Sequence, residues 1–265
     1  MFTRFFSLLL VFCCCALAVG TLSAQRLHLG GFKLKKVGAS IGQDQDMLGD
    51  MSASYFLSTA RPGDLRNDYS QLDLLPTDTY SMICENPHLR LNATWEHDRV
   101  TNLEFGTNLL LITGRIDAME FRSDQTRNYL YIDQYSNEIA FEPTLGWRMG
   151  KGPFHLTAIV GGNVGYHWGN MYINGRADIC DDKTVKFRNA GEAVCENRRI
   201  NDATDITSGI STRVFAEAKA SFQLFRRVEL GVHLRRGLGV RMADGAATQS
   251  TSLHSGGASV AWVLR

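Results

Sequence analysis

Past its first two dozen residues the chain lacks any apolar run near the ~18 residues from which a bilayer-spanning helix is read, so helical membrane spans are excluded. It has little proline, five residues in 265, and no Pro/Ser-rich tract that would separate domains. It has no excess of either charge, with 28 Lys+Arg against 27 Asp+Glu. A nucleic-acid binder would carry a basic excess or stripe, so that class is excluded. Motifs for cofactors and metals are missing too. Asp44-Gln45-Asp46 with Gly49 opens like a calcium loop, but Tyr55 stands where the closing acid belongs.

What is present starts with an export signal at residues 1–24. Arg4 supplies the positive start, Phe5 to Val19 the apolar run, and Gly20 to Ala24 the small and polar stretch, with cleavage before Gln25. The cysteines at 13–15 lack the small preceding residue that lipid attachment needs, since Phe12 or another cysteine stands there. Loss of this segment removes one arginine and no acid, leaving 27 Lys+Arg and 27 Asp+Glu. Export leads to an oxidising compartment. Cys180 and Cys195 are expected to bridge across one polar segment, which at that loop size is worth ~3 kcal/mol. Cys84 is left over.

The mature segment 25–265 alternates with period two. Leu89, Leu91, Ala93 and Trp95 oppose Arg90, Asn92, Thr94 and Glu96. Ile139, Phe141, Leu145 and Trp147 oppose Glu138, Glu142, Thr144 and Arg148, and Val214, Ala216, Ala218 and Phe222 oppose Arg213, Glu217, Lys219 and Ser221. Such alternation fits strands with unlike environments on their two faces and fits no helix. Eight strands follow, at 27–42, 87–97, 101–122, 138–149, 154–168, 210–224, 228–242 and 252–264, although the long first loop leaves ten open. A slip near Gly30–Gly31 and another near Ile112–Gly114 suggest bulges. Short turns at His97–Asp98, Gly150–Lys151–Gly152 and Arg226–Arg227 alternate with long polar loops at 43–86, 123–137, 172–209 and 243–251. That is the pattern of an eight-stranded antiparallel transmembrane up-and-down β-barrel.

A soluble barrel would turn the apolar set inward. Three features favour the reverse. The polar set is rich in small residues (Gly161, Gly165, Gly231, Gly237, Gly239), which suits a narrow lumen. Trp95, Trp147, Trp168 and Trp262 lie near strand ends on the apolar set, as an aromatic girdle would. The chain also stops on its last strand, without the flanking helix usual in soluble ligand barrels. In this pattern the whole mature chain resembles the small outer-membrane barrels of the OmpA-like and OmpX-like families. The resemblance is one of pattern, without a particular shared motif. It implies a bacterial outer-membrane location, with outer-membrane lipid, lipopolysaccharide and the outer-membrane assembly machinery as partners. One departure is the ending Trp262-Val263-Leu264-Arg265, where such families often close on an aromatic residue.

Inside so narrow a barrel Arg90, Glu142, Glu217, Lys219, His233 and Arg235 fall at similar depth. Buried charge is costly unless paired, so an interlocked polar plug is expected, with a gated ion path as the rival. Counting from a turn at Phe225–Arg227 makes paired numbers sum to 452, setting Glu217 opposite Arg235 and Lys219 opposite His233. Arg236 has lipid-facing parity. It either meets lipopolysaccharide phosphate near the outer leaflet or is turned inward by a bulge at Gly237. Ser252 and His254 share a face, but their order is the reverse of the His-x-Ser of lipid A deacylases and no acidic orienter is visible. The expected function is a non-enzymatic surface barrel whose loops serve adhesion, host contact or envelope integrity, toward an extracellular ligand the sequence does not name. A narrow channel and a lipid-modifying enzyme are the alternatives.

Overall fold

A computed structural model describes residues 28–48, 52–61, 63–72, 79–123, 127–187, 194–225, 227–246 and 248–264. The expected export signal, 1–24, lies outside the described residues. The elements are β1 (His28–Leu29), β2 (Phe32–Leu48), the helix α1 (Ala53–Ser58), β3 (Thr79–His97), β4 (Leu103–Arg122), β5 (Tyr129–Met149), β6 (Phe154–Cys180), β7 (Thr184–Lys186), β8 (Cys195–Leu224), β9 (Val228–Ala243) and β10 (Gln249–Val263). β1 and β7 are short appendages. The eight long strands pair antiparallel with their neighbours in the chain, and β10 closes onto β2, so the ring has no free edge.

The two faces are unequal in the direction that lipid requires. Val214 is 67% and Leu234 72% exposed, whereas Glu142 and Arg235 are 0% and 2% exposed. Along β5 the outward set is apolar from Met149 to Ile139 and turns polar at Asn137. Those ten steps rise roughly 23 Å at ~3.3 Å per residue and ~45° tilt, close to the ~25 Å apolar band of outer-membrane barrels. Trp147 and Trp168 are exposed and Trp95 and Trp262 half-buried, all with outward parity.

The strands do not stop where the apolar band stops. β2 runs on to Leu48, β3 begins at Thr79, β4 reaches Arg122, β5 starts at Tyr129, β6 continues to Cys180 and β8 starts at Cys195. Of the segments expected as loops, most of 123–137 and 172–209, and both ends of 43–86, are therefore sheet, and 243–251 shrinks to a short connection after Ala243. The reason is an inversion of the pattern. In the membrane the outward set is apolar and the inward set polar. Above it, Tyr129, Tyr131, Tyr172 and Asn174 face out while Leu130, Ile132, Met171 and Ile173 are buried. The period of two persists but its sign flips, and a search for one continuous apolar face ends at the flip.

Within this extension a second core forms. Helix α1 and the segment after it fold over the inner face of the sheet, so that Phe56, Leu72, Leu130, Ile132, Met171, Ile173, Phe187 and Ile200 pack together. Ser52 caps α1 by accepting the Tyr55 N–H at 3.3 Å, which satisfies one donor left free by the first turn. Bridges Ala60↔Ile206 and Asp68↔Thr184 fix the segment to the sheet.

The irregularities fall close to the slips read in sequence. The register of β4 shifts between Ile112 and Arg115, with Gly114 at φ 69°, a region open to glycine at little cost. Gly30 and Gly31 make the β1–β2 turn at φ 55° and 84°, and the bulge of that strand lies further on, between Leu34 and Lys36.

Candidate functional site

The strand alternation sends a column of charged residues into the lumen, and register decides how they meet. β8 and β9 pair with Leu224 opposite Val228, Glu217 opposite Arg235 and Lys219 opposite His233. Arg235 donates to Glu217 Oε2 from Nε at 3.0 Å and Nη2 at 2.8 Å, and its Nη1 donates to Glu142 at 2.8 Å. Arg90 reaches Glu142 at 2.8 Å and Glu217 at 3.6 Å, closing a four-membered ring of alternating charge. Asn163 donates to Glu142 at 3.2 Å, and the Arg235 guanidinium lies 3.6 Å from the centroid of the Phe215 ring. Of the six residues read as a lumen network, these four meet one another. Lys219 instead pairs with Glu229 at 3.4 Å, nearer the short-turn end. His233 is buried, with its ring centroid 6.2 Å from that of His88.

Two further tiers lie outside that set. Toward the short turns, Lys36 bridges Glu104 at 3.2 Å and Glu229 at 2.9 Å. Toward the outside, Asp46 receives Arg115 and Arg213 at 2.8 Å each and Arg241 at 3.4 Å. Asp117 takes Arg115 and Arg241, and Glu138 takes Arg213 at 2.6 Å with Ser211 donating to the same oxygen. This upper tier was missed because Asp46 falls in the segment read as a loop. The signal was there: Ser40, Asp44 and Asp46 keep the inward parity of Lys36. A cavity of about 70 Å³ lies between the lower tier and the central ring, and one of about 410 Å³ opens at the short-turn end beside Lys36, Arg148 and Glu229. Tiers of paired charge cross the lumen, with an apolar core beyond the uppermost.

Cys180 and Cys195 are disulfide-bonded and stand opposite each other across β6 and β8, at the apex of the extension. Cys84 lies on β3 with its backbone opposite Asp117. Asp202 on β8 holds the cap, accepting from the Tyr69 hydroxyl at 2.6 Å and from Asn67 Nδ2 at 2.9 Å. Burial and the adjacent carboxylate push the Tyr69 phenol far above its usual range.

The outer face of the extension is a surface of aromatic and amide side chains. Tyr135 and Tyr172 make an edge contact at 5.7 Å and are both exposed. With Asp133, Asn137, Asn170 and Asn174 they line a shallow groove of about 520 Å³. Higher up, Arg122, Tyr129, Arg176 and Arg199 form one row across four strands. Tyrosine with asparagine gives a rigid, amphipathic contact area with adaptable hydrogen bonding, the chemistry of general recognition surfaces.

Arg236 is exposed and faces outward. β9 keeps unbroken register with both β8 and β10, so no bulge at Gly237 turns it in. Ser252 and His254 also have outward parity. The residues paired with His254 are Gln45 and Arg236, and those paired with Ser252 are Met47 and Leu238, so no acid adjoins the pair in register. Among the described residues no cluster of His, Cys, Asp and Glu suited to a metal ion occurs.

No family model and no curated protein matches the sequence. Among solved structures the chain is similar to the attachment invasion locus protein Ail of Yersinia pestis, at 10% identity and a TM-score of 0.38, covering 87% of this chain and 99% of that one. Neisserial surface protein A is similar at 11% identity and a TM-score of 0.35, with 88% and 97% covered. The Yersinia protein has also been solved with the heparin analogue sucrose octasulfate, a structure similar at 10% identity and a TM-score of 0.34.

Proposed function

We propose that the chain is a non-enzymatic bacterial outer-membrane protein whose sealed barrel carries a rigid extracellular platform for adhesive contact. Residues 1–24 direct export and are removed, residues 25–265 form the barrel and platform, and both ends of the mature chain lie on the periplasmic side. Outer-membrane lipid, lipopolysaccharide and the assembly machinery are its partners in the envelope.

One observation carries this reading. The same strands that cross the apolar band continue above it into a folded, disulfide-closed sheet with its own core and an outward Tyr–Asn face. A strand connection needs no such core. Binding residues sit on the exposed end of a rigid scaffold where contact is the task, and the paired charges that cross the lumen support a barrel that does not conduct.

The test is adhesion of cells displaying the protein to immobilised matrix proteins and glycans. Cells carrying the native chain are expected to bind at least one such surface, and Tyr135→Ala with Tyr172→Ala to lose that binding at unchanged surface level. Binding unaffected by the double substitution would remove the platform face from the reading. Step conductance of the native protein in planar bilayers would replace the reading by a channel.

A further inference from the structure

A groove of about 1060 Å³ lies on the outer wall of the barrel and follows the slope of the strand pairing. Its course is set by register. Leu145, Val160, Ala216, Arg236, His254 and Gln45 are successive partners across β5, β6, β8, β9, β10 and β2. The row just below it passes through Trp147, Ala158, Ala218, Leu234, Gly256 and Gln43 by the same pairings. Three alanines and a glycine in the middle of these rows leave the wall hollow, between the larger Leu145, Trp147 and Val160 at one end and the polar residues at the other.

Because barrel strands tilt, a line of partners climbs the wall. Leu145 stands four residues above the short-turn end of β5, Arg236 eight above that of β9, and Gln45 thirteen beyond Phe32. At ~3.3 Å per residue and ~45° tilt these correspond to heights of roughly 9, 19 and 30 Å. The apolar end of the groove is therefore in the inner half of the bilayer. At its polar end Arg236 starts roughly 6 Å inside the outer boundary of the ~25 Å apolar band, with Leu238 and Met242 exposed above it on β9, and Gln45 lies beyond that boundary. Arg236 is an exposed cation for which no carboxylate partner occurs among the described residues.

An apolar trough that ends in an outward guanidinium on a stem long enough to rise toward the headgroups has the form of a lipid: a chain below, an anion above. We propose that the groove seats one acyl chain of lipid A, with a lipid A phosphate held by Arg236 beside His254 and Gln45. The two glutamine amides, Gln43 and Gln45, add donors and acceptors for sugar hydroxyls, which a glycerophospholipid lacks in its backbone. The inference rests on the outer-membrane location proposed above.

The test uses the full-length protein purified from outer membranes in mild detergent, with bound lipid counted by native mass spectrometry and identified after extraction. One lipid A per chain is expected to survive detergent exchange. Arg236→Gln, which removes a charge-assisted contact, and Ala218→Phe, which fills the trough, should each lower retention about tenfold. Ala220→Phe lies on the same strand and face but outside the groove, and should leave retention unchanged. Equal retention in Arg236→Gln, glycerophospholipid in place of lipid A, or a dimer that dissociates in Ala218→Phe would each overturn the inference. Recovery of the protein from a fraction other than the outer membrane would instead overturn the location on which it rests.

Discussion

The charge ring at the centre of the lumen makes an unequal prediction for its members. Arg235→Met leaves Glu142 and Glu217 to share Arg90 alone and removes the cation from the face of Phe215. A buried carboxylate without its partner should cost ~3–5 kcal/mol. Glu217→Gln is milder. Arg235 keeps Glu142 at 2.8 Å, and the amide oxygen still accepts, so the cost should be ~1–3 kcal/mol. In the double variant one cation and one anion remain, Arg90 and Glu142, which are 2.8 Å apart. The double variant should then be more stable than Arg235→Met alone, with a coupling well above the ~1 kcal/mol of exposed pairs. Urea titration of the protein in lipid vesicles, followed by tryptophan emission, measures all four corners of the cycle. Costs that simply add, or an Arg235→Met no worse than Glu217→Gln, would refute the argument that these four charges act as one unit.

Planar-bilayer recording should find the native barrel silent and Arg235→Met leaky, because Arg235 spans the lumen between Glu142 and Glu217. Replacing Cys180 and Cys195 by alanine should remove ~3 kcal/mol from the closure of the apex segment. Protease should then cut between 181 and 194 while the folded barrel keeps its mobility on a gel. The raised Tyr69 phenol means that the folded state holds this proton more tightly than the unfolded chain does. Its contribution is therefore whole below the ordinary tyrosine range and is lost as pH climbs above ~10. Hydrogen exchange in 52–72 should accelerate there and not in the membrane strands, and Tyr69→Phe should abolish that pH dependence.

The membrane half of the fold was legible because one physical contrast, lipid outside and paired charge inside, stamps the same alternation on every strand. The β8–β9 register followed from the turn length and from the cost of setting Lys219 beside Arg235. The half of the sheet beyond the apolar band was not legible by the same rule. From Leu130 to Ile132 on β5 and from Met171 to Ile179 on β6 the apolar residues change to the inner face, so a strand still in register reads as the loss of one. The partners of Asp46 were hidden for a second reason. Arg115, Arg213 and Arg241 come from three other strands, and the count along one hairpin does not bring them together. The helix α1 cap was hidden because its apolar residues find their core on strands distant in sequence.

β6 and β8 run unbroken from the short-turn end of the barrel, at Phe154 and Leu224, to the bridged pair Cys180–Cys195, in register throughout save one shift near Gly169. A pull on the apex is thus borne along the strands, where the hydrogen bonds of the ladder are loaded together in shear instead of opening one at a time. The covalent clamp stands at the end where unzipping would otherwise begin. Load passes straight to the part of the ladder embedded in the membrane, with no hinge between, so under tension the protein behaves as a stiff post.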